Sequence, residues 1–98
     1  MKAALLVRNR IVYGDEEFAE VVVWELPAPL PGSTHCYKYR LAFVAQGVCV
    51  IRYDNESGKG DHQHQHDQEQ RYSFETLEKL FSDFERDIRS HHDEDRHS

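Results

Sequence analysis

The sequence lacks the features of a secreted, membrane-spanning or redox protein. Its two cysteines, Cys36 and Cys49, are far from a Cys-x-x-Cys spacing and lie within strand-like runs, so neither a disulfide nor a reactive thiol is expected. No apolar run approaches the roughly 20 residues that span a bilayer. The first residues include Arg8 and Arg10 and lack the long apolar core of a secretory signal. These absences predict a cytoplasmic protein that does not contact a membrane.

The chain also lacks an excess of positive charge. It contains 12 Lys and Arg against 18 Asp and Glu, and the formal net charge is −6 at pH 7. The acidic surplus lies in the second half of the sequence. A protein that coats nucleic acid through its phosphates usually presents a net basic surface, so the composition argues against nonspecific duplex binding. It leaves room for a small local cationic site.

Two hairpins and one helix can be predicted from hydrophobic periodicity. Alternating apolar and polar residues predict β-hairpins over residues 3–26 and 36–54, separated by a stiff Pro-rich loop. Later in the chain, apolar residues recur at helical spacing and predict an amphipathic helix over residues 76–90, whose apolar stripe consists of Leu77, Leu80, Phe81, Phe84 and Ile88. Thr76 is the predicted N-cap, because its side-chain oxygen can accept a free N–H of the first turn.

These elements predict an α+β fold. The predicted architecture is an antiparallel four-stranded sheet of two hairpins, with the C-terminal helix packed on one face. At 98 residues the chain is long enough for one such domain, which we assign to residues 1–90. The acidic and His-rich tail, residues 91–98, has nothing to bury and is expected to be disordered.

The turn of the second hairpin predicts which of its residues share a face. With residues 46–47 as a two-residue loop, regular alternation places Arg52 and Asp54 at the charged margin of the core face. Lys38 and Arg40 fall on the opposite face, which is expected to meet solvent or a partner.

The stretch of residues 55–71 contains no apolar residue and is expected to form a loop or an irregular edge strand. It is long for a connection in a small domain, which favours a functional role. Gly58 and Gly60 flank Lys59, and backbone N–H groups beside an ammonium group favour the binding of a phosphate. The segment is not a Walker A loop, because Gly60 and Asp61 follow the lysine in place of a hydroxyl residue and a helix.

The same region contains the groups that metal-independent cleavage of RNA requires, namely a base, an acid and cations around the phosphate. His62 and His64 would be the acid-base pair, because histidine titrates near neutral pH and alternate residues of an extended segment point to one side. Arg52 and Lys59 would hold the phosphate. Without this chemistry, the histidines would be ordinary solvated residues of a polar loop.

A neighbouring carboxylate, Asp54 or Asp61, would orient an imidazole by accepting its second N–H; alternatively, Asp54 would only form an ion pair with Arg52 at the sheet edge. The predicted catalytic residues are His62, His64, Lys59, Arg52 and Asp54. The predicted substrate-binding residues are Lys59, Arg52, Gly58, Gly60, Lys38 and Arg40.

Metal binding is the alternative chemistry. His62, His64 and His66 with nearby aspartates, and the histidines of the tail, offer nitrogen and oxygen donors. Their spacing matches neither His-Glu-x-x-His nor a cysteine pair, and His-rich tracts bind transition metals weakly. We therefore predict no metal ion and no cofactor. The alternative function is a noncatalytic binding protein whose His-rich loop contacts a partner or a metal ion.

Four segments of the sequence carry a family resemblance. They are K-Y-R-L-A-F at residues 38–43, R-Y-D-N-E at 52–56, G-K-G-D-H-x-H at 58–64, and Y-x-F before the terminal helix. Together they resemble the TumE family of toxins from prokaryotic toxin-antitoxin modules. The family usually has a basic residue between the two histidines, where this chain has Gln63.

The resemblance implies a small cytoplasmic toxin encoded beside an antitoxin that is often a helix-turn-helix protein, with ribonuclease activity suspected. The leading hypothesis is therefore an RNA-cleaving toxin whose partners are a cognate antitoxin and an RNA substrate, and a homodimer is left open. Acidic residues of the helix and tail, Asp83, Asp87 and Asp93, are expected to face a basic antitoxin, because surface charges select partners.

Overall fold

The computed structural model describes residues 2–97. Six antiparallel strands follow one another in chain order across a single sheet. They are β1 (Ala4–Gly14), β2 (Glu17–Glu25), β3 (Tyr37–Ala45), β4 (Val48–Glu56), β5 (Gly60–Gln65) and β6 (Gln68–Arg71), and the helix α1 (Leu77–His97) follows. The α+β class, the antiparallel sheet and the C-terminal helix are confirmed, whereas the predicted number of four strands is wrong.

The two additional strands come from the polar stretch of residues 55–71. Gly58 and Gly60 have φ values of 81° and 77° and reverse the chain, so that β5 pairs along the edge of β4 and β6 pairs along β5. Backbone pairing of this kind needs no apolar side chain, and hydrophobic periodicity therefore does not reveal it. Polar edge strands also protect the sheet from pairing with other chains.

A β-bulge in β4 decides which of its residues face the helix. The predicted two-residue turn is confirmed, because Ala45 pairs with Val48 across it, and both of its residues have positive φ values, 54° and 78°. The register then shifts between Phe43 and Val44 of β3, and Val50 of β4 is the extra residue.

The bulge moves every later residue of β4 to the opposite face. Arg52 and Asp54, predicted at the margin of the core face, lie on the face away from α1, in register with Ala42 and Arg40. The predicted face of these two residues is therefore wrong. Alternation did not reveal the bulge because the residues around Val50 are apolar in either register.

The core lies between the sheet and α1. The helix begins after Thr76, whose Oγ1 accepts a hydrogen bond from the backbone N–H of Lys79 at 3.1 Å, so the predicted N-cap is confirmed. The predicted apolar stripe of the helix packs on the strands as expected. The buried apolar residues are Ala19, Val21, Val23, Tyr39, Leu41, Phe43, Val50, Ile51, Tyr53, Leu80, Phe84 and Ile88.

The helix continues to His97, beyond the predicted end at Ser90. Nε2 of His92 lies 2.6 Å from Oε1 of Glu17, and its ring packs against Phe43 with a centroid distance of 5.6 Å. Residues 91–97 are therefore helical where a disordered tail is predicted, and Ser98 lies outside the described residues. The assignment of one domain to residues 1–90 stays a prediction. Within residues 2–97, no helix is long and apolar enough to cross a lipid bilayer.

Two helix carboxylates that were expected to face an antitoxin are buried. Asp83 is 6% exposed and accepts hydrogen bonds from the hydroxyl of Tyr72 at 2.6 Å and from Nζ of Lys79 at 2.8 Å. Asp87 is 8% exposed and accepts a hydrogen bond from the hydroxyl of Tyr53. Asp87 binds the helix to β4, and Asp83 binds it to the segment after β6, so neither is a free contact charge.

The hydrogen bonds of Asp83 with Tyr72 and Lys79 predict that the stability of the fold decreases in acid. Burial acts to raise its pKa, but hydrogen bonds from Lys79 and Tyr72 outweigh burial and hold the pKa below the ordinary value. Because the folded pKa is lower than the unfolded one, the stabilisation is present above about pH 4 and is lost as the pH falls through the folded pKa.

We expect the free energy of unfolding, measured by denaturant titration between about pH 5 and pH 2, to fall less steeply in Asp83→Asn than in the unmodified protein. The control is Asp93→Asn, whose carboxylate is exposed. Equal slopes in Asp83→Asn and the unmodified protein would contradict the assignment.

Candidate active site

Two rows of polar side chains cross the outer face of the sheet, which we define as the face away from α1. Residues directly opposite each other in neighbouring strands share a face. The His62 row consists of Arg8, Val22, Arg40, Asp54, His62 and Arg71. The His64 row consists of Arg10, Glu20, Ala42, Arg52, His64 and Glu69. The pairing of β5 with β4 thus places both predicted catalytic histidines beside Arg52 and Asp54.

Each histidine makes one hydrogen bond that identifies its tautomer. Nη2 of Arg52 lies 2.8 Å from Nε2 of His64, and a guanidinium can only donate, so Nε2 of His64 accepts. Nε2 of His62 lies 2.9 Å from the carbonyl oxygen of Lys59, which can only accept, so Nε2 of His62 donates. One face therefore presents an unprotonated imidazole nitrogen and an imidazole N–H two residues apart.

The carboxylate beside both imidazoles is Glu69 of β6. Its Oε1 lies 3.4 Å from Nδ1 of His62 and 3.5 Å from Nε2 of His64. Sequence reasoning missed Glu69, because it did not include β6. The available signal was the pair His66 and Asp67, which makes a two-residue turn and brings residue 69 opposite residue 64.

Asp54 contacts Arg52 and not a histidine side chain. Its Oδ2 lies 3.2 Å from Nε of Arg52, and both side chains are partly buried. The contact is an ion pair without hydrogen-bond alignment, because Nε of Arg52 is buried and has no hydrogen-bond acceptor. The geometry matches the predicted alternative in which Asp54 pairs with Arg52, and it gives Asp54 a role in positioning the guanidinium.

Asp61 lies on the other face of β5, where it orients a different histidine. Its Oδ2 accepts hydrogen bonds from Nε2 of His35 at 2.8 Å and from the hydroxyl of Tyr39 at 2.5 Å. Burial and the bond to Asp61 raise the pKa of Tyr39 far above its ordinary value, so the hydroxyl remains a donor. The ring of His35 stacks on Phe74 with centroids 3.9 Å apart. His35 was not predicted, because it lies 26 residues from Asp61 in sequence.

The glycine-flanked lysine contacts the histidine pair through its backbone carbonyl, which accepts from His62, whereas its side chain extends to Glu56. Nζ of Lys59 lies 3.5 Å from Oε2 of Glu56, and the lysine side chain is 71% exposed. The backbone N–H of Gly58 donates to the carbonyl of Pro31 at 2.7 Å, and a Cβ on Gly32 would lie 3.5 Å from the backbone of Gly58. These glycines allow the turn before β5 to pack closely against the Pro-rich loop, and Gly60 follows with positive φ.

Gln63 stands where the family usually has a basic residue, and it lies opposite Tyr53 in the register. Because Tyr53 is a core residue, residue 63 is on the helix-facing side of β5. A basic residue at this position would therefore not share the face of the histidine pair.

The predicted substrate-binding residues Lys38 and Arg40 line a cavity of about 430 Å³ on the outer face. Nζ of Lys38 donates a hydrogen bond to the backbone carbonyl of Asn55. Within residues 2–97, Arg40 has no carboxylate within ion-pair distance. The other lining residues are Val22, Trp24, Tyr39, Arg52, Asp54 and Glu56.

The His-rich segments carry the donors of the alternative chemistry, metal binding. Across the part of the chain that the structure describes, no group of three or more His, Cys, Asp or Glu side chains is arranged to hold a metal ion.

Comparison with known proteins supports the family resemblance carried by the motifs of residues 38–64. A family model described as Toxin TumE matches residues 2–92, nearly the whole chain. No curated protein and no solved structure matches it. The match includes the sheet, the histidine pair and most of α1. The chain therefore belongs to the TumE family of toxins.

Proposed function

We propose that this toxin cleaves RNA by acid-base chemistry at His62 and His64, without a metal ion. The observation that carries the proposal is the complementary pair of imidazoles on the outer face, one with an accepting and one with a donating Nε2. Such a pair is what a phosphodiester transfer requires, because one proton must be removed and another supplied. Membership of the toxin family implies a cognate antitoxin as protein partner.

In the proposed reaction, Nε2 of His64 removes the proton of the ribose 2′-hydroxyl. The 2′-oxygen forms a bond to phosphorus while the bond from phosphorus to the 5′-oxygen breaks. His62 acts as the imidazolium, with its second proton on Nδ1 beside Glu69, and donates its Nε2 proton to the leaving oxygen, which leaves a neutral imidazole. The products are a 2′,3′-cyclic phosphate and a 5′-hydroxyl. Arg52 stabilises the negative charge on the phosphate oxygens, and a phosphate that accepts its N–H releases Nε2 of His64 to act as a base.

The distribution of charge supports an approach of RNA to the outer face. Arg8, Arg40 and Arg71 of the His62 row have no ion-pair partner within residues 2–97, so their guanidinium groups are available to phosphates. Half of the acidic surplus lies on the other side of the sheet, since α1 carries seven Asp and Glu against four Lys and Arg. The net charge of −6 is therefore compatible with a local cationic face.

The proposal predicts cleavage of RNA in the presence of a chelator. Antitoxin-free toxin in EDTA is expected to cut RNA and leave 2′,3′-cyclic phosphate ends, detected by resistance of the fragments to 3′-end ligation until the cyclic phosphate is removed. DNA of the same sequence should remain intact, because it lacks the 2′-hydroxyl nucleophile.

A matched control is the RNA with a single 2′-deoxy nucleotide at the mapped cut site, which should resist cleavage there and nowhere else. Cleavage of this substrate at the 2′-deoxy position, or loss of RNA cleavage in EDTA, would overturn the mechanism. Binding of RNA without cleavage would instead favour the noncatalytic binding protein.

A further inference from the structure

We propose that Trp24 is a stacking platform for an unpaired base of the RNA, and that the substrate at this site is consequently single-stranded. This inference rests on the proposed function of the same face. It concerns a residue to which the acid-base mechanism assigns no role.

The indole of Trp24 is available on the outer face. Val23 is fully buried on the core face, and Val21 is 7% exposed there, so strand alternation directs Val22 and Trp24 outward. Trp24 is 37% exposed. Within residues 2–97, its ring has no aromatic or cationic partner and its N–H has no acceptor. A large aromatic ring in this position contributes little to the core and is free to stack on a ligand.

The surroundings of Trp24 combine an apolar surface with cations. Val22 and Trp24 line one side of the 430 Å³ cavity, and Lys38, Arg40 and Arg52 line it from β3 and β4. The carboxylates of Asp54 and Glu56 also line it, so the cations outnumber the anions by three to two. A nucleotide has the same division, because its base is a flat ring with a π-face and its phosphate is an anion. A cavity of this volume has room for one base with its ribose. In a duplex the bases are stacked on each other, so only an unpaired base can lie on the indole.

The register sets the distance from Trp24 to the histidine pair. Trp24 is on β2, three strand spacings from β5 and two residues along the strands from the His62 row, so it lies about 16 Å from His62 at roughly 4.8 Å per spacing and 3.4 Å per residue. A base on Trp24 would therefore belong to a nucleotide a few positions from the scissile phosphate. Arg40 and Asp54 of the His62 row lie on the two strands between Trp24 and His62, and Arg40 is placed to contact an intervening phosphate.

Fluorescence tests the platform separately from catalysis, because Trp24 is the only tryptophan in the sequence. The variant with both His62→Ala and His64→Ala is titrated with a short single-stranded RNA and with the same RNA annealed to its complement. Single-stranded RNA is expected to quench the fluorescence at the concentrations at which anisotropy of a labelled RNA reports binding. The duplex should quench little. Binding by anisotropy without quenching would overturn the platform.

Kinetics provides the second readout in the active protein. Trp24→Ala should raise KM for single-stranded RNA by about 10-fold or more with little change in kcat, and Trp24→Phe should restore most of the affinity, because both rings stack. Val48→Ala is the matched control, since Val48 is an apolar side chain with 61% exposure at the β3–β4 turn, outside the cavity.

The two proposals fail in different ways. If Trp24→Ala cleaves RNA with an unchanged KM, the stacking role of Trp24 is disproved and the acid-base mechanism is unaffected. If single-stranded RNA quenches the fluorescence of Trp24 but the unmodified protein does not cleave it, the acid-base mechanism is disproved and the stacking role of Trp24 is unaffected. Circular dichroism of each variant establishes that the fold is retained.

Discussion

Replacing either His62 or His64 by alanine is expected to reduce the rate of RNA cleavage by about 10²- to 10⁴-fold, the range for loss of one general acid or base. Each substitution removes one of the two proton-transfer groups on the outer face. Neither ring belongs to the buried core, so stability should change little. The measurement is single-turnover cleavage of a labelled RNA, accompanied by growth inhibition on expression without antitoxin.

His66→Asn is the matched control for the loss of a histidine in the same segment. His66 is at the β5–β6 turn with φ of 56°, a conformation that asparagine tolerates, and its side chain is not part of either row. This variant should cleave at the normal rate. Full cleavage by both His62→Ala and His64→Ala, with His66→Asn equally active, would eliminate the acid-base pair.

Replacing Asp61 by alanine is expected to lower the free energy of unfolding by about 3 kcal/mol, because two donors lose their acceptor. The hydroxyl of Tyr39 and Nε2 of His35 both donate to Oδ2 of Asp61, and the side chains of His35 and Asp61 are each only 10% exposed. Unsatisfied donors of this kind cost about 1 to 3 kcal/mol each. Chemical denaturation of both proteins measures the difference.

The control for Asp61→Ala is Asp67→Ala, which removes an exposed aspartate from the β5–β6 turn of the same hairpin. It should change the free energy of unfolding by less than about 0.5 kcal/mol, as is usual for surface positions. A similar small effect for Asp61→Ala would mean that the contacts to His35 and Tyr39 contribute nothing to stability.

The correct predictions concern residues whose positions follow from local sequence patterns. Leu80, Phe84 and Ile88 are separated by four residues, and this spacing alone places them on one face of a helix. Thr76 is a polar cap immediately before that pattern. His62 and His64 share a face because β5 is extended, and alternation along a strand is independent of the remainder of the fold.

The residues that were misplaced depend on contacts between distant segments. Arg52 was assigned to the wrong face because a single bulged residue, Val50, shifts the register. The contact between Asp61 and His35 joins the Pro-rich loop to β5, and the position of Lys59 follows from the same packing. Local alternation contains no information about such contacts.

The amino-acid sequence by itself determined the α+β class, the helix, the face shared by the two histidines and the resemblance to the toxin family, because each is encoded in local periodicity or in a short motif. Only the tertiary structure decided that Arg52, Asp54 and Glu69 join those histidines, and that Trp24 lies on the same face. The physical reason is that strand register and bulges result from the packing of the whole sheet against the helix, which no single segment specifies.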